Sequence, residues 1–211
     1  MTDTVTGLRE LKKRRTRELI ADTAMRLFLE RGFDAVTVVE IARAAEVAEK
    51  TVYNYFPTKE DLVYERLESF ESALLAAIRG RKTGESFLAA FGRFILGSRG
   101  LLAAEDASEK LRAVSRMIAG SPALLAREEH VFARYTASLA ALIAEETGAR
   151  DDDVRPWVAA NALMGVHRAL VDYVRRETLA GTPNAKLARD VRVQGTRALA
   201  ALERGLGDYG V

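Results

Sequence analysis

The sequence predicts an all-α protein of about nine helices, and three observations support this. Apolar residues recur at intervals of three and four along most of the chain, which is typical of amphipathic helices. No convincing run alternates apolar and polar residues as a half-buried strand does. All four prolines fall where a predicted helix begins or ends, and proline is unfavourable in a helix interior. With 211 residues, the chain is long enough for one large domain or two small ones.

The first predicted helix runs from about residue 16 to residue 31. Its apolar stripe consists of Ile20, Ala24, Leu27 and Phe28. Gly32 follows this stripe, and glycine commonly ends a helix because it adopts a left-handed backbone easily. The residues up to about 15 are polar, and we expect them to be mobile.

Two short helices joined by a tight turn are predicted over residues 37–56. Thr37 is placed to cap the first of them, whose apolar face consists of Val38, Ile41, Ala42 and Ala45. The second runs from about 48 to 56, with Val52 and Phe56 on its buried face, and Pro57 ends it. Thr58 and Asp61 then form a weaker version of the capping box at the start of the fourth helix.

The second of these short helices is marginal by itself, so it must pack on its neighbour. Packed in that way, it presents a small polar surface that includes Lys50, Tyr53 and Tyr55. Such an arrangement is typical of a helix-turn-helix, whose second helix enters the DNA major groove. Any two amphipathic helices joined by a short turn give a similar pattern, so a plain helical hairpin is the alternative.

Residues of different chemistry recur here at fixed spacing: Phe33, Thr37, Val38, Ile41-Ala42, Val47, Thr51-Val52-Tyr53, Tyr55-Phe56 and Lys59-Glu60-Asp61-Leu62. This order resembles the DNA-binding domain of the TetR family of bacterial transcriptional regulators. The resemblance covers residues from about 16 to 63. The turn departs from the family pattern, because Glu46 and Ala48 stand where the family usually has glycine and serine. Glu46 is strained there if its φ is positive, and Ala48 lacks a capping oxygen.

The resemblance implies binding to a double-stranded DNA operator as a homodimer, with repression as the family default. It also implies a role for each residue of the matched segment. The expected phosphate contacts are Tyr53, Tyr55 and Lys59, assisted by Thr37. The candidates for contacts with base edges are Glu49, Lys50, Thr51 and Asn54. Lysine can meet O6 and N7 of guanine, and asparagine can pair with adenine.

Basic residues are concentrated just before this segment, although the net charge of the chain is only +2. The cluster consists of Arg9, Lys12, Lys13, Arg14, Arg15 and Arg17. Such a cluster is often a solvated tail. Directly before a helix-turn-helix, however, it is placed to reach phosphate or the minor groove, and Arg14 and Arg15 are the candidates.

Six further helices complete the predicted fold. We expect them at about 59–78, 85–97, 107–119, 122–147, 154–179 and from 184 onward. The acidic residues 151–153 suit a helix N-terminus, and they lack the oxygen-rich loop of a calcium site. We expect a helix-turn-helix DNA-binding domain over 1–60 and a helical bundle for effector binding and dimerisation over 61–211.

The eighth predicted helix is apolar on nearly every side from Trp157 to Val174, so we expect it to be buried all round. One neighbouring layer cannot cover that circumference. Gly195 and Ala198 of the ninth helix permit close approach of another helix. We therefore expect a two-fold homodimer through the eighth and ninth helices, which the family resemblance also implies.

The resemblance implies an effector cavity enclosed by the fourth to eighth helices. The polar candidates are Arg116, Tyr135, Asn161 and His167, which the pattern places within apolar faces, and the apolar candidates are Phe91, Phe94, Met117 and Met164. This lining indicates a small lipophilic effector. The N-terminal domain, with its Ala45-Glu46-Val47 turn and its Tyr55-Phe56-Pro57 sequence, looks like regulators that bind acyl-CoA-like molecules. Aromatic and methionine residues at this spacing are also common in plain cores, and His167 as a satisfied core histidine is the alternative.

Composition and motifs argue against several other functions. The chain has no cysteine, which removes disulfides, thiol catalysis and cysteine zinc sites. It has two histidines and no HExxH, Walker or GxSxG pattern, so we expect neither an enzyme nor a metal or other cofactor. No apolar run approaches the roughly 20 residues of a membrane span, and we expect a cytoplasmic protein. A helical enzyme and an interaction module without DNA binding are the alternatives.

Overall fold

The computed structural model describes residues 3–97 and 107–206, and within these residues the chain forms nine α-helices and no strand. The helices are α1 (Asp3–Arg31), α2 (Val38–Ala44), α3 (Glu49–Tyr55), α4 (Asp61–Arg79), α5 (Phe87–Gly97), α6 (Ala107–Gly120), α7 (Pro122–Thr147), α8 (Arg155–Leu179) and α9 (Asn184–Leu206). The all-α class and the helix order are therefore confirmed. Among the described residues, no helix is both long and apolar enough to cross a membrane.

The chain divides into two compact units, whose boundaries fall within α4, α6 and α7. The first unit contains Met1–Glu68 together with Met117–Arg127, and the second contains Ser69–Arg116 together with Glu128–Val211. The first unit includes residues 117–127 because they are bonded to the start of α4. The Tyr64 hydroxyl donates to the main-chain oxygen of Leu124 at 2.9 Å, and Arg127 pairs with Asp61 at 2.5 Å. The functional division into 1–60 and 61–211 stays a prediction.

Helix α1 begins at Asp3, so the prediction of a mobile segment up to residue 15 is wrong for residues 3–15. Those residues are polar and give no burial signal in the sequence. They include good helix formers, and extending a helix that packing has already nucleated costs little. The predicted end is confirmed. Gly32 has φ +87°, and its N–H donates to the carbonyl of Phe28 at 2.9 Å.

The core of the first unit is built from the predicted stripes. Ile20, Ala24 and Phe28 of α1 are buried, as are Ile41 of α2 and Val52 of α3. The ring of Phe33, which lies between α1 and α2, packs 5.0 Å from the ring of Phe28 at an angle of 58°. The predicted capping box of α4 is also present. The N–H of Thr58 donates to Asp61 Oδ2 at 2.9 Å, and the N–H of Asp61 donates to Thr58 Oγ1 at 3.3 Å.

In the second unit, α9 packs on both α5 and α8. Gly195 makes this packing possible, because a Cβ atom there would lie 2.6 Å from Leu96 Cδ2 and 3.3 Å from Leu170 Cδ1. We expected Gly195 to serve close approach between two subunits. That expectation is wrong for this residue, since the close contacts lie inside one chain. The sequence positions of small residues show that a helix can approach closely there, but not whether that helix belongs to the same chain or to a second subunit.

Helix α8 is not buried all round within the chain, which corrects the prediction. Its inner side, including Ala160, Leu163 and Leu170, is buried. On its outer side, Trp157 is 52% exposed and Val158 is 57% exposed. The start of α8 follows the predicted acidic triplet. Asp153 accepts from the guanidinium and the backbone N–H of Arg155, and these bonds lower the pKa of Asp153 to about 2.

Candidate nucleic-acid interface

The first helix of the hairpin, α2, begins with a complete capping box. The N–H of Glu40 donates to Thr37 Oγ1 at 3.3 Å, and the N–H of Thr37 donates to Glu40 Oε2 at 2.8 Å. The Thr37 cap is therefore confirmed. Two hydrogen bonds lower the pKa of Glu40 to about 2. The bond from the backbone N–H of Thr37 has the larger effect, and the bond from the Arg31 guanidinium, at 2.7 Å, has the next largest. Glu40 thus stays ionised at all physiological pH values.

The turn between α2 and α3 adopts the strained geometry that the sequence suggested. Glu46 has φ +54° and is the non-glycine residue with a positive φ among the described residues. A left-handed conformation costs a side-chain-bearing residue about 1–2 kcal/mol. The next residue closes the turn, since the N–H of Val47 donates to the carbonyl of Ala42 at 3.0 Å. Ala48 is the N-cap of α3 and makes no side-chain bond, as predicted.

Helix α3 has a buried side and an exposed side. Val52 and the following Phe56 are each 1% exposed, which confirms the predicted anchors. The base-edge candidates Glu49, Lys50 and Asn54 are exposed, and Thr51 is half-buried. Of the phosphate candidates, Tyr53 is exposed and Tyr55 is half-buried. The polar side of the helix is therefore accessible to a partner in the isolated chain.

The basic cluster of α1 divides into outward and inward residues. Arg14 and Arg15 are exposed, and Arg14 forms only a loose ion pair with Glu18 at 3.9 Å. An exposed pair of this kind contributes little to stability, so both arginines are free to exchange partners. Arg17 is half-buried, and its Nη1 atom donates to the carbonyl of Tyr55 at 3.1 Å.

Lys59 has partners that its sequence position did not suggest. Its Nζ atom donates to the carbonyls of Phe33 at 3.0 Å and of Val36 at 3.2 Å. The same atom lies 4.1 Å from the centre of the Phe33 ring. Lys59 therefore ties the end of the hairpin to the segment between α1 and α2. Its phosphate contact stays a prediction, but the structure gives this lysine a structural role.

The residues predicted for effector binding are only partly brought together. Phe91, Tyr135, Met164 and His167 are buried in the second unit, and Phe94 is half-buried there. Met117 belongs to the first unit. Arg116 and Asn161 are exposed, so the expectation that they lie within apolar faces is wrong for the single chain. The side-chain amide of Asn161 donates to the carbonyl of Trp157 at 2.8 Å, one turn back on α8. The effector roles of all eight residues stay predictions.

Two phenylalanines that were not among the effector candidates pack against residues that are. The Phe70 ring stacks on the His167 ring, with centroids 4.6 Å apart and planes at 15°. It also lies 5.4 Å from the Phe94 ring and 5.5 Å from the Tyr135 ring. The Phe132 ring meets His167 edge-on at 5.7 Å. Phe132 and Tyr135 are three residues apart on α7 and therefore lie on the same side of the helix. This spacing is the sequence signal that could have identified Phe132 as a neighbour of the effector candidates.

A short hairpin whose second helix is anchored on one side and polar on the other defines a helix-turn-helix DNA-binding protein. The profile described as "Bacterial regulatory proteins, tetR family" matches residues 20–65, and the profile described as "MftR C-terminal domain" matches residues 85–206. The chain belongs to the TetR family of bacterial transcriptional regulators.

Individual relatives agree with this assignment. The HTH-type transcriptional regulator TcmR of Streptomyces glaucescens is 34% identical over 177 residues, which cover 81% of this chain and 76% of TcmR. The crystal structure of NalD, the secondary repressor of the MexAB-OprM multidrug efflux pump in Pseudomonas aeruginosa, superposes with a TM-score of 0.56. That match covers 88% of this chain and 97% of NalD at 24% identity, and it shows a common fold.

Replacing the strained turn residue is expected to stabilise the protein. Glu46→Gly removes the left-handed penalty but makes the unfolded chain more flexible, so we expect a net gain of about 0.5–1 kcal/mol. Thermal and urea unfolding would measure this gain. Arg43→Gly, in the helical backbone of α2, is the matched control and should lose about 1 kcal/mol. A loss of stability for Glu46→Gly would show that the left-handed backbone at Glu46 does not destabilise the protein.

Removing the Lys59 ammonium is expected to destabilise the first unit. Lys59→Met keeps a long apolar side chain but loses two charge-assisted hydrogen bonds, so we expect a cost of about 1–2 kcal/mol in urea unfolding. Lys50→Met, which removes an exposed lysine from α3, is the control and should change stability by less than about 0.5 kcal/mol. Equal effects of the two substitutions would show that the carbonyl contacts of Lys59 contribute nothing.

Proposed function

We propose that the chain is a repressor that binds a palindromic operator as a homodimer and leaves it when a small lipophilic effector binds. The observation that carries the proposal is the exposed polar side of α3, which is held from behind by the buried Val52 and Phe56. Such a helix has a fixed direction, and its outer side chains remain free for base contacts.

The proposed DNA contacts divide by chemistry. Lys50 is assigned to O6 and N7 of guanine and Asn54 to adenine, because both side chains are exposed on α3 and both pairings have matching donors and acceptors. Glu49 and Thr51 are the further candidates at base edges. The candidates for phosphate contacts are Thr37, Tyr53, Tyr55, Arg14 and Arg15, with Lys59 as the least available because its ammonium already meets two carbonyls.

The proposed dimer uses the outer side of α8 together with α9. Val154, Trp157 and Val158 expose apolar surface within one turn at the start of α8, and Val193 of α9 is also exposed. Contiguous exposed apolar surface commonly marks an interface. A two-fold pair would present two copies of α3 to half-sites about 34–36 Å apart. Light scattering on the purified chain tests the pairing, and a monomer mass at micromolar concentration would contradict it.

The proposed effector is lipophilic because its candidate site offers rings and few polar groups. Phe91, Tyr135 and Met164 are buried in the second unit, and Phe94 is half-buried beside Phe70. Tyr135 and His167 are the residues with polar side-chain atoms among the buried candidates. An acyl-CoA-like molecule is one form of such an effector, which the sequence of the N-terminal segment suggested. The groove between α5 and α9, of about 280 Å³, is lined by none of the predicted effector residues.

Operator binding is expected to depend on the exposed side chains of α3. Lys50→Ala and Asn54→Ala should each weaken binding to the DNA flanking the gene by about 1–3 kcal/mol, or roughly fivefold to 150-fold, and should change binding to scrambled DNA little. Gel shift assays with both DNAs would measure this. Lys186→Ala on α9 is the matched control and should bind like the unmodified chain. No shift with any flanking DNA would favour an enzyme or an interaction module.

Effector binding is expected to lower operator affinity. In the same gel shift assay, at least one compound from a panel of fatty acids, acyl-CoAs and aromatic molecules should release the DNA. Phe94→Ala should raise the concentration required at least severalfold, because the half-buried ring contributes apolar contact area. Leu19→Ala, on the exposed side of α1, is the control and should respond like the unmodified chain. A panel without any effect on DNA binding would contradict the proposed regulation.

A further inference from the structure

We infer that Arg17 is a positioning residue for α3, which holds the C-terminal end of this helix from α1 and makes no contact with DNA phosphate. The inference rests on the proposed DNA binding by α3 and adds a residue that acts on the interface from behind. In the sequence, Arg17 is indistinguishable from the other members of the basic cluster. The structure separates it from them.

Three contacts hold the Arg17 side chain against the end of the hairpin. Its Nη1 atom donates to the carbonyl of Tyr55, the last residue of α3, at 3.1 Å. Its guanidinium carbon lies 4.6 Å from the centre of the Phe56 ring. Its Nε atom lies 3.6 Å from the Glu65 carboxylate on α4, and the two side chains are only 25% and 20% exposed. Arg17 thereby joins α1 to both α3 and α4.

Helix α3 benefits from this contact because its own sequence places an acidic residue, Glu49, in the first turn but no cation in the last. The N-cap Ala48 makes no side-chain bond, and no basic residue lies in the last turn of α3. The carbonyls of a last helical turn lack partners within the helix, and a cation there is favourable. Helices α1, α2 and α4 each carry an arginine in their own last turn. Arg17 supplies the missing cation to α3 from another helix.

The same contacts make Arg17 unsuitable as a phosphate ligand. Its charge is balanced by Glu65, and its planar face is covered by Phe56. To reach a phosphate, the guanidinium would have to leave a carbonyl, a carboxylate and a ring. Arg15 has the same charge and lies two residues earlier on α1, but it is exposed. Arg15 is therefore a matched control, because it is an arginine of the same helix whose side chain is exposed to solvent.

The two roles differ in how binding depends on salt. A phosphate contact releases counterions, so its loss lowers affinity on every DNA and reduces the salt slope by about one unit. Loss of a positioning residue misdirects Lys50 and Asn54, so it lowers affinity mainly on the operator and leaves the salt slope unchanged.

The test measures fluorescence anisotropy with operator and scrambled DNA at several salt concentrations. For Arg17→Met we expect roughly tenfold weaker operator binding, little change on scrambled DNA and the salt slope of the unmodified chain. For Arg15→Met we expect equal losses on both DNAs and a slope lower by about one. Arg17→Lys keeps the charge, so the positioning role predicts a partial loss on the operator. A lower slope for Arg17→Met, or unmodified affinity for Arg17→Lys, would overturn the inference.

A second measurement does not require DNA binding. Hydrogen exchange of the free Arg17→Met variant should be faster over residues 49–56 than in the unmodified chain, while exchange over α2 stays the same. Unchanged exchange over residues 49–56 would overturn the inference, as would an equal increase in both helices. If the unmodified chain binds no flanking DNA, the proposed function fails, and hydrogen exchange still decides whether Arg17 positions α3.

Discussion

The burial of Val52 and Phe56 is the constraint on which the DNA-binding face depends. Helix α3 has seven residues, which is too short for a stable isolated helix. Burial of these two side chains, four residues apart, fixes one side of the helix toward the core. The helical repeat then directs Lys50 and Asn54 to solvent. The polar surface exists as an ordered surface only because the opposite side is buried.

Cationic residues serve two different purposes in the first unit. Arg14, Arg15 and Lys50 are exposed, and their charges are available to a polyanion. Arg17 and Lys59 direct their charges inward, to main-chain carbonyls and aromatic rings. Carbonyls at the C-terminal end of a helix are natural partners for a cation, because they lack N–H donors within the helix and carry partial negative charge.

The second unit combines a cluster of aromatic rings with an exposed apolar patch at the start of α8. The rings of Phe70, Phe94, Tyr135 and His167 form one connected cluster, and Gly195 lets α9 lie against α5 and α8. The outer side of α8 nevertheless leaves Trp157 and Val158 in solvent. Burial of such side chains against a second copy would be favourable, at about 25 cal/mol per Å² of apolar surface. The apolar circumference of α8 is thus covered only in part within the chain, and the proposed homodimer would cover the rest.

Local signals in the sequence determined where the helices begin and end. Gly32 and Pro57 end helices because of backbone geometry, and Thr37 and Thr58 start helices through short-range hydrogen bonds. The strain at Glu46 and the missing cap at Ala48 could also be predicted, since each depends on one residue and its nearest neighbours. The same applies to the buried anchors of α3, because a periodic pattern identifies the side that must be covered.

Only the tertiary structure decided which partners the cationic side chains of the first unit contact. Arg17 and Arg15 have the same chemistry in the sequence, and only the approach of Tyr55, Phe56 and Glu65 turns one of them inward. Lys59 meets Phe33 and Val36 across more than twenty residues of chain, a pairing that no local pattern encodes. Long-range contacts depend on how helices pack, so residue type and spacing set which interactions are possible and the fold selects among them.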